Sequence, residues 1–203
     1  MSTIKTNQLA HTANGAAVYT LPQTDGSAGQ VLRTDGSGNL SWVNDSGKIL
    51  QVKSATKTGT ASTNSATFAD ISGLSVTLTT PQSGSKILVS CDLQIGSEDN
   101  NYAGFKLLRD STAIGLGTEG TGNMSNVTFG AGLRGSFQYR VLGLGYQILD
   151  AHGADGSTNV TYKLQWASLY QSKTVFVNRP YTADNQSYNI FGSSTITAME
   201  VTP

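Results

Sequence analysis

The chain has 203 residues, with 13 basic and 13 acidic side chains, two histidines and one cysteine. Charged residues make up 13% of it, about half the usual share, while Ser and Thr fill 48 positions and Gly another 23. So sparse and balanced a charge argues against a polyanion-binding surface, and the single Cys91 excludes both an internal disulfide and a Cys-x-x-Cys metal site.

The opening Met1-Ser2-Thr3-Ile4-Lys5 lacks the apolar stretch of a secretion leader. Apolar runs are only a few residues long, too short to cross a bilayer about 30 Å thick, so no membrane insertion is expected.

Residues 1–46 read as a separate arm. Thr24-Asp25-Gly26-Ser27 and Thr34-Asp35-Gly36-Ser37 recur ten residues apart, each Asp-Gly predicting a turn because Gly accepts positive φ. Gln30-Val31-Leu32-Arg33 and Asn39-Leu40-Ser41-Trp42-Val43 are each long enough for one strand. Neither has enough apolar surface to bury a face alone, so the arm is expected to gain order from partner chains.

Residues 47–203 read as a succession of short strands. Ile87, Val89, Cys91, Leu93 and Ile95 alternate with mainly polar neighbours, as do Val160, Tyr162, Leu164 and Trp166, so each series points to a core and Cys91 points inward. Further strands are predicted at Ile49 to Ser54, Leu74 to Thr80, Ala103 to Leu108, Val127 to Leu133, Tyr139 to Leu149, Thr174 to Asn178 and Thr195 to Val201. No stretch keeps helical periodicity over three turns. Roughly nine short strands separated by turn residues predict an all-β fold, an antiparallel sandwich or jelly roll.

The chemistry of common enzymes is sparse. Gly115-Leu116-Gly117-Thr118-Glu119-Gly120 fits a dinucleotide-binding pattern, but that pattern needs a helix after it, and Thr121 to Asn126 has no helical character. Glu98, Glu119 and Glu200 are the only glutamates, too few to suggest paired-carboxylate hydrolysis. His11 falls in the arm and His152 in the Gly-rich Asp150-Ala151-His152-Gly153, where a lone histidine reads as polar surface. No catalytic residue, cofactor or metal is therefore assigned. Lys53 and Lys57 are the nearest approach to a basic cluster, and no nucleic-acid partner is expected.

Two segments suit ligand binding. Tyr181, Asn185, Tyr188 and Asn189 set aromatics among amides, which fits sugar faces and hydroxyls, although such rings also serve to anchor a long loop or an intersubunit seam. Glu98, Asp99, Asn100, Asn101 and Tyr102 form a turn whose oxygens could face a cation or, more simply, solvent. Both are turn-rich connections, where binding groups vary without disturbing a core.

The stretch from Ala17 to Trp42 (LPQTDGSAGQVLRTDGSGNLSW from Leu21) resembles an element of tail-fibre and other virion proteins of tailed bacteriophages. Gly47 to Val52, Phe105 to Asp110, Tyr162 to Trp166 and Ser194 to Val201 are similar to the C-terminal domain of structural proteins from marine phages, including those of cyanobacteria. Such domains resemble trimeric jelly rolls of the tumour-necrosis-factor and C1q type. The resemblance implies a non-enzymatic, homotrimeric virion protein whose arm meets other virion proteins through Leu21, Pro22, Val31, Leu32, Leu40 and Trp42. The head, residues 47–203, would then bind host-surface glycan or protein. The alternative is a capsid decoration or cement protein, or a head fibre, stabilising the capsid lattice.

Overall fold

A computed structural model of the chain describes residues 6–10, 18–44, 49–135, 137–170 and 173–202. His11 and the boundary expected at residues 46 and 47 lie outside the described residues. The chain divides into two compact units, Met1–Gly47 and Lys48–Pro203.

The first unit consists of two antiparallel pairs, β1 (Gln8–Ala10) with β2 (Val18–Thr20) and β3 (Gln30–Thr34) with β4 (Leu40–Asn44). The backbone bond Thr20 N–H to Gly38 O (2.9 Å) ties one pair to the other. The two Asp-Gly copies do different things. In the second, Asp35 Oδ1 accepts Ser37 N–H (2.7 Å) and Asn39 N–H (3.1 Å), and Gly36 takes a φ of 81°. Gly26 does not take positive φ. It lies under the Trp42 ring, where an added Cβ would stand 2.6 Å from Cδ2, and Trp42 Nε1–H donates to Thr24 O at 2.8 Å. Among the described residues of this unit none is buried, and Val31, Leu32 and Trp42 stay exposed.

The second unit is a sandwich of antiparallel sheets, with no helix among the described residues. In one sheet β8 (Lys86–Ser97) has β12 (Leu142–Asp150) on one side and β15 (Ser194–Val201), then β14 (Val175–Val177), along the other. β5 (Ile49–Lys57) pairs with β15, and β6 (Ala61–Thr63) with β14, to form the outer edge. In the second sheet β13 (Val160–Ser168) lies between β7 (Ala69–Leu78) and β9 (Asn101–Arg109). The far side of β9 is covered by β10 (Thr112–Ile114) and β11 (Phe129–Leu133) in succession. Taking the principal strands in chain order (β5, β7, β8, β9, β11, β12, β13, β15), each passes to the opposite sheet except β9 to β11. That is jelly-roll wiring.

Alternation decides which side chains enter the core. Ile87, Val89, Cys91, Leu93 and Ile95 of β8 face Val160, Tyr162, Leu164 and Trp166 of β13 within one buried cluster that also holds Phe105 and Leu107 of β9. Phe105, Phe129 and Tyr146 stack at 5.1 Å and 5.4 Å and carry this core from β9 through β11 to β12 of the other sheet. At the other edge Gln51 closes the sandwich: its Nε2 donates to Thr79 O (3.0 Å) and its Oε1 accepts Thr79 N–H (3.1 Å).

β7 begins at Ala69 rather than Leu74, because a bulge opposite Leu164, with Gly73 at a φ of 87°, breaks the alternation that locates a strand in sequence. β6 and β10, of three residues each, were absent from the predicted set. No helix follows Gly115 to Gly120, which joins β10 to β11. Gly115 is held open by packing instead, since a Cβ there would meet Tyr146 Oη at 2.3 Å.

Candidate functional site

Both predicted ligand segments sit at the end of the sandwich where β8 finishes. The turn Glu98-Asp99-Asn100 joins β8 to β9, with Asn100 at a left-handed φ of 57°. Its acids face their own scaffold rather than solvent. Glu98 Oε1 accepts Thr174 N–H (3.0 Å), and Asp99 Oδ1 accepts the N–H groups of Phe137 (2.5 Å) and Gln138 (3.0 Å). Asn101 is fully buried; it donates from Nδ2 to Ser97 Oγ (2.9 Å) and accepts from Tyr102 N–H (2.7 Å) and Ser168 Oγ (3.1 Å). These three residues fix the shape of the turn.

Asn100 and Tyr102 are the members of that segment that reach a cavity of about 410 Å³, which Arg134, Tyr170 and Lys173 complete. Arg134 follows β11, whereas Tyr170 and Lys173 follow β13, so three separate segments supply five side chains. The Tyr102 and Tyr170 rings meet edge to face, with centroids 5.8 Å apart and planes 75° apart. Arg134 Nε–H donates to Tyr102 Oη at 2.8 Å, and its guanidinium carbon lies 5.7 Å from the Tyr102 ring centre. Asn100 Oδ1 accepts Gly135 N–H (3.2 Å), and Lys173 Nζ donates to Asp99 O (2.5 Å). Sequence reasoning named Asn100 and Tyr102 and missed Arg134 and Lys173, which nothing in the linear sequence links to them.

The second predicted segment belongs to the long connection from β14 to β15, residues 178–193. Asn189 Nδ2 donates to both the carbonyl and the carboxylate of Asp184, folding the loop onto itself. Tyr188 stands edge-on to Tyr139 at 5.5 Å, and Tyr181 packs 5.8 Å from Phe176. Tyr181, Asn185 and Tyr188 are exposed, as are Ile190 and Phe191. Phe137 to Arg140 bridges the two predicted segments: Asp99 holds its first two amides, Gln138 O accepts Thr182 N–H (2.8 Å), and Tyr139 meets Tyr188.

The opposite end of the sandwich holds a buried polar cluster. His152 is not surface: it is 7% exposed, with Nε2 3.0 Å from Ser85 Oγ and Nδ1 accepting Ala154 N–H at 2.9 Å. Ser85 Oγ in turn lies 2.7 Å from Glu200 Oε1. The cluster is no nucleophilic triad, because the serine stands between histidine and acid and the histidine's other nitrogen is taken by backbone. Burial raises the Glu200 pKa, but hydrogen bonds from Ser85, Gln51 and the Gln82 amide bring it below the ordinary value. Cys91, fully buried, has its thiol pKa pushed up to about 12 by burial and the neighbouring Asp92, which leaves no reactive thiolate.

The outer face of the β8 sheet carries an apolar row across four strands. Leu149, Leu88, Met199 and Val52 are direct cross-strand partners, with Val52 and Leu149 each 51% exposed. The next row is polar, with Gln147 Nε2 3.2 Å from Ser90 Oγ and Ser54 Oγ 2.9 Å from Thr197 Oγ1.

No family model and no curated protein matches the chain. Among solved structures, it is similar to chains of infectious bursal disease virus, strains Gt and Gx. Each is 11% identical with a TM-score of 0.39, over 81% of this chain. The chain spans about two-fifths of their length, 40% and 39%. A likeness of that extent carries no argument about function. Among the described residues, no helix is long and apolar enough to cross a membrane.

Proposed function

We propose that the chain is a non-enzymatic structural protein of a virion, a homotrimeric fibre whose sandwich contributes to host-surface attachment. The observation that carries this reading is the pairing of two unlike units. The first has no buried residue among those described and bears the fibre-like element from Leu21 to Trp42; the second has a full hydrophobic core of its own. A unit that buries nothing gains its order from neighbouring chains. Val31, Leu32 and Trp42, exposed on β3 and β4, are the groups offered to other virion proteins.

Self-association is supported by the row Leu149, Leu88, Met199 and Val52, since apolar side chains in line across four strands lose most by remaining in water. The number three follows the resemblance of the sandwich to trimeric jelly rolls. Copy number tests the proposal: quantitative mass spectrometry of purified particles against the major capsid protein should give a ratio of a few per cent. A ratio near the capsid count would replace the fibre with a lattice decoration protein. Absence from particles would overturn both.

A further inference from the structure

We propose that the cavity bounded by Asn100, Tyr102, Arg134, Tyr170 and Lys173 binds an acidic saccharide, a sugar ring carrying a carboxylate. The inference rests on reading the sandwich as the part that meets the host surface, and it names the chemistry met there.

Size comes first. About 410 Å³ lies within the range of roughly 300–1,000 Å³ typical of small-molecule sites, well beyond what a bare inorganic anion fills. Shape comes second. Two tyrosine rings set 75° apart, each ending in a hydroxyl, line the cavity and suit a body whose faces are C–H and whose edge is oxygen. A sugar ring is such a body.

Charge selects among sugars. Among the described residues the lining holds two cations, Arg134 and Lys173, and no acid. The nearby carboxylates of Glu98 and Asp99 are committed to the amides of Thr174, Phe137 and Gln138. Among the described residues the ion pairs are Arg109 with Asp150 and Lys163 with Asp70, neither of them at this cavity. Arg134 uses Nε–H on Tyr102 Oη, which fixes the plane of the guanidinium and leaves its terminal N–H groups for a carboxylate. Asn100, its oxygen taken by Gly135 N–H, has its NH₂ to offer a hydroxyl. A neutral sugar would leave the guanidinium and the ammonium without a counter-charge.

The test is binding of the full chain to immobilised polygalacturonate, alginate and polysialic acid, with dextran as the neutral control. At least one acidic polymer should bind, weaken as salt rises, and be lost on methyl esterification of its carboxylates. Arg134→Gln and Tyr170→Ala should each weaken that binding by about tenfold or more with melting temperature unchanged, whereas Lys53→Gln, which removes a distant positive charge, should not. Inorganic phosphate should compete only weakly.

Failure of all three polymers, equal binding to dextran, or binding indifferent to both Arg134→Gln and Tyr170→Ala would overturn the site. Competition by phosphate as strong as by the polymers would reduce it to an anion site and overturn the saccharide. The outcomes separate from those of the copy-number measurement. A particle-borne chain that binds none of these polymers ends this inference alone, and a chain absent from particles that binds one ends the fibre reading alone.

Discussion

Glu200 is held by three hydrogen bonds. Its carboxylate receives Gln51 Nε2–H at 2.6 Å, Gln82 N–H at 2.5 Å and Ser85 Oγ–H at 2.7 Å while only 2% exposed. Glu200→Gln turns an NH₂ toward one of those donors and should cost about 2 kcal/mol at neutral pH, read from chemical denaturation. The folded-state pKa lies below the ordinary 4.5, so the charged form favours the fold. That contribution is complete above pH 4.5 and is lost as pH falls through the lower folded value, and the variant's stability should vary less across this window. None of this was legible in sequence. His152 stands in a Gly-rich connection that looks like surface, and its partner Ser85 lies 67 residues away along the chain.

Among the elements, the long strands were legible, as was the short β14 within the Val-rich Thr174 to Asn178, whereas β6 and β10 were not. β8 and β13 alternate over enough residues for their buried faces to be read from the sequence, and Cys91 points inward as that alternation predicts. β6 and β10 are three residues each, and three residues cannot show a period of two. The β14 to β15 connection depends on a glycine the sequence does not single out. A Cβ on Gly96 would stand 2.2 Å from Arg179 O and 2.8 Å from Pro180 Cα, so β8 can carry this loop close only with glycine there. Gly96→Ala should lift the loop and destabilise the sandwich by roughly 1–3 kcal/mol. Faster amide exchange at Asn178, whose N–H donates to Gln94 O at 2.7 Å, would report the lifting. A variant with wild-type exchange and melting temperature would show that the loop adapts without strain.

For the molecule as a whole, the all-β class and the sandwich were legible because periodicity and turn residues agree along the chain. The cavity was not, since Arg134 and Lys173 join Tyr102 only through the pairing of β11 and β13 with β9. The proposed trimer makes its own prediction. The chain should elute with a mass near 64 kDa by light scattering, three times its 21.3 kDa. Combined Val52→Asp and Leu149→Asp, both on exposed positions of the apolar row, should return it to one copy with the circular dichroism of the sandwich intact. A trimer that survives the double variant would move the interface elsewhere.

The register of β5, β8 and β15 also gives the sandwich a polarity. Ile49 pairs with Val201, and Val201 with Lys86, so the first residue of β5, the first of β8 and the last of β15 share one end. The Glu98 to Asn100 turn lies at the other, beyond the twelve residues of β8, roughly 40 Å away at the usual rise per strand residue. The chain enters and finishes its jelly roll at the same pole. A sandwich tethered through that pole would present the proposed saccharide cavity away from the tether, and a label fused after β15 would lie at the pole opposite that cavity.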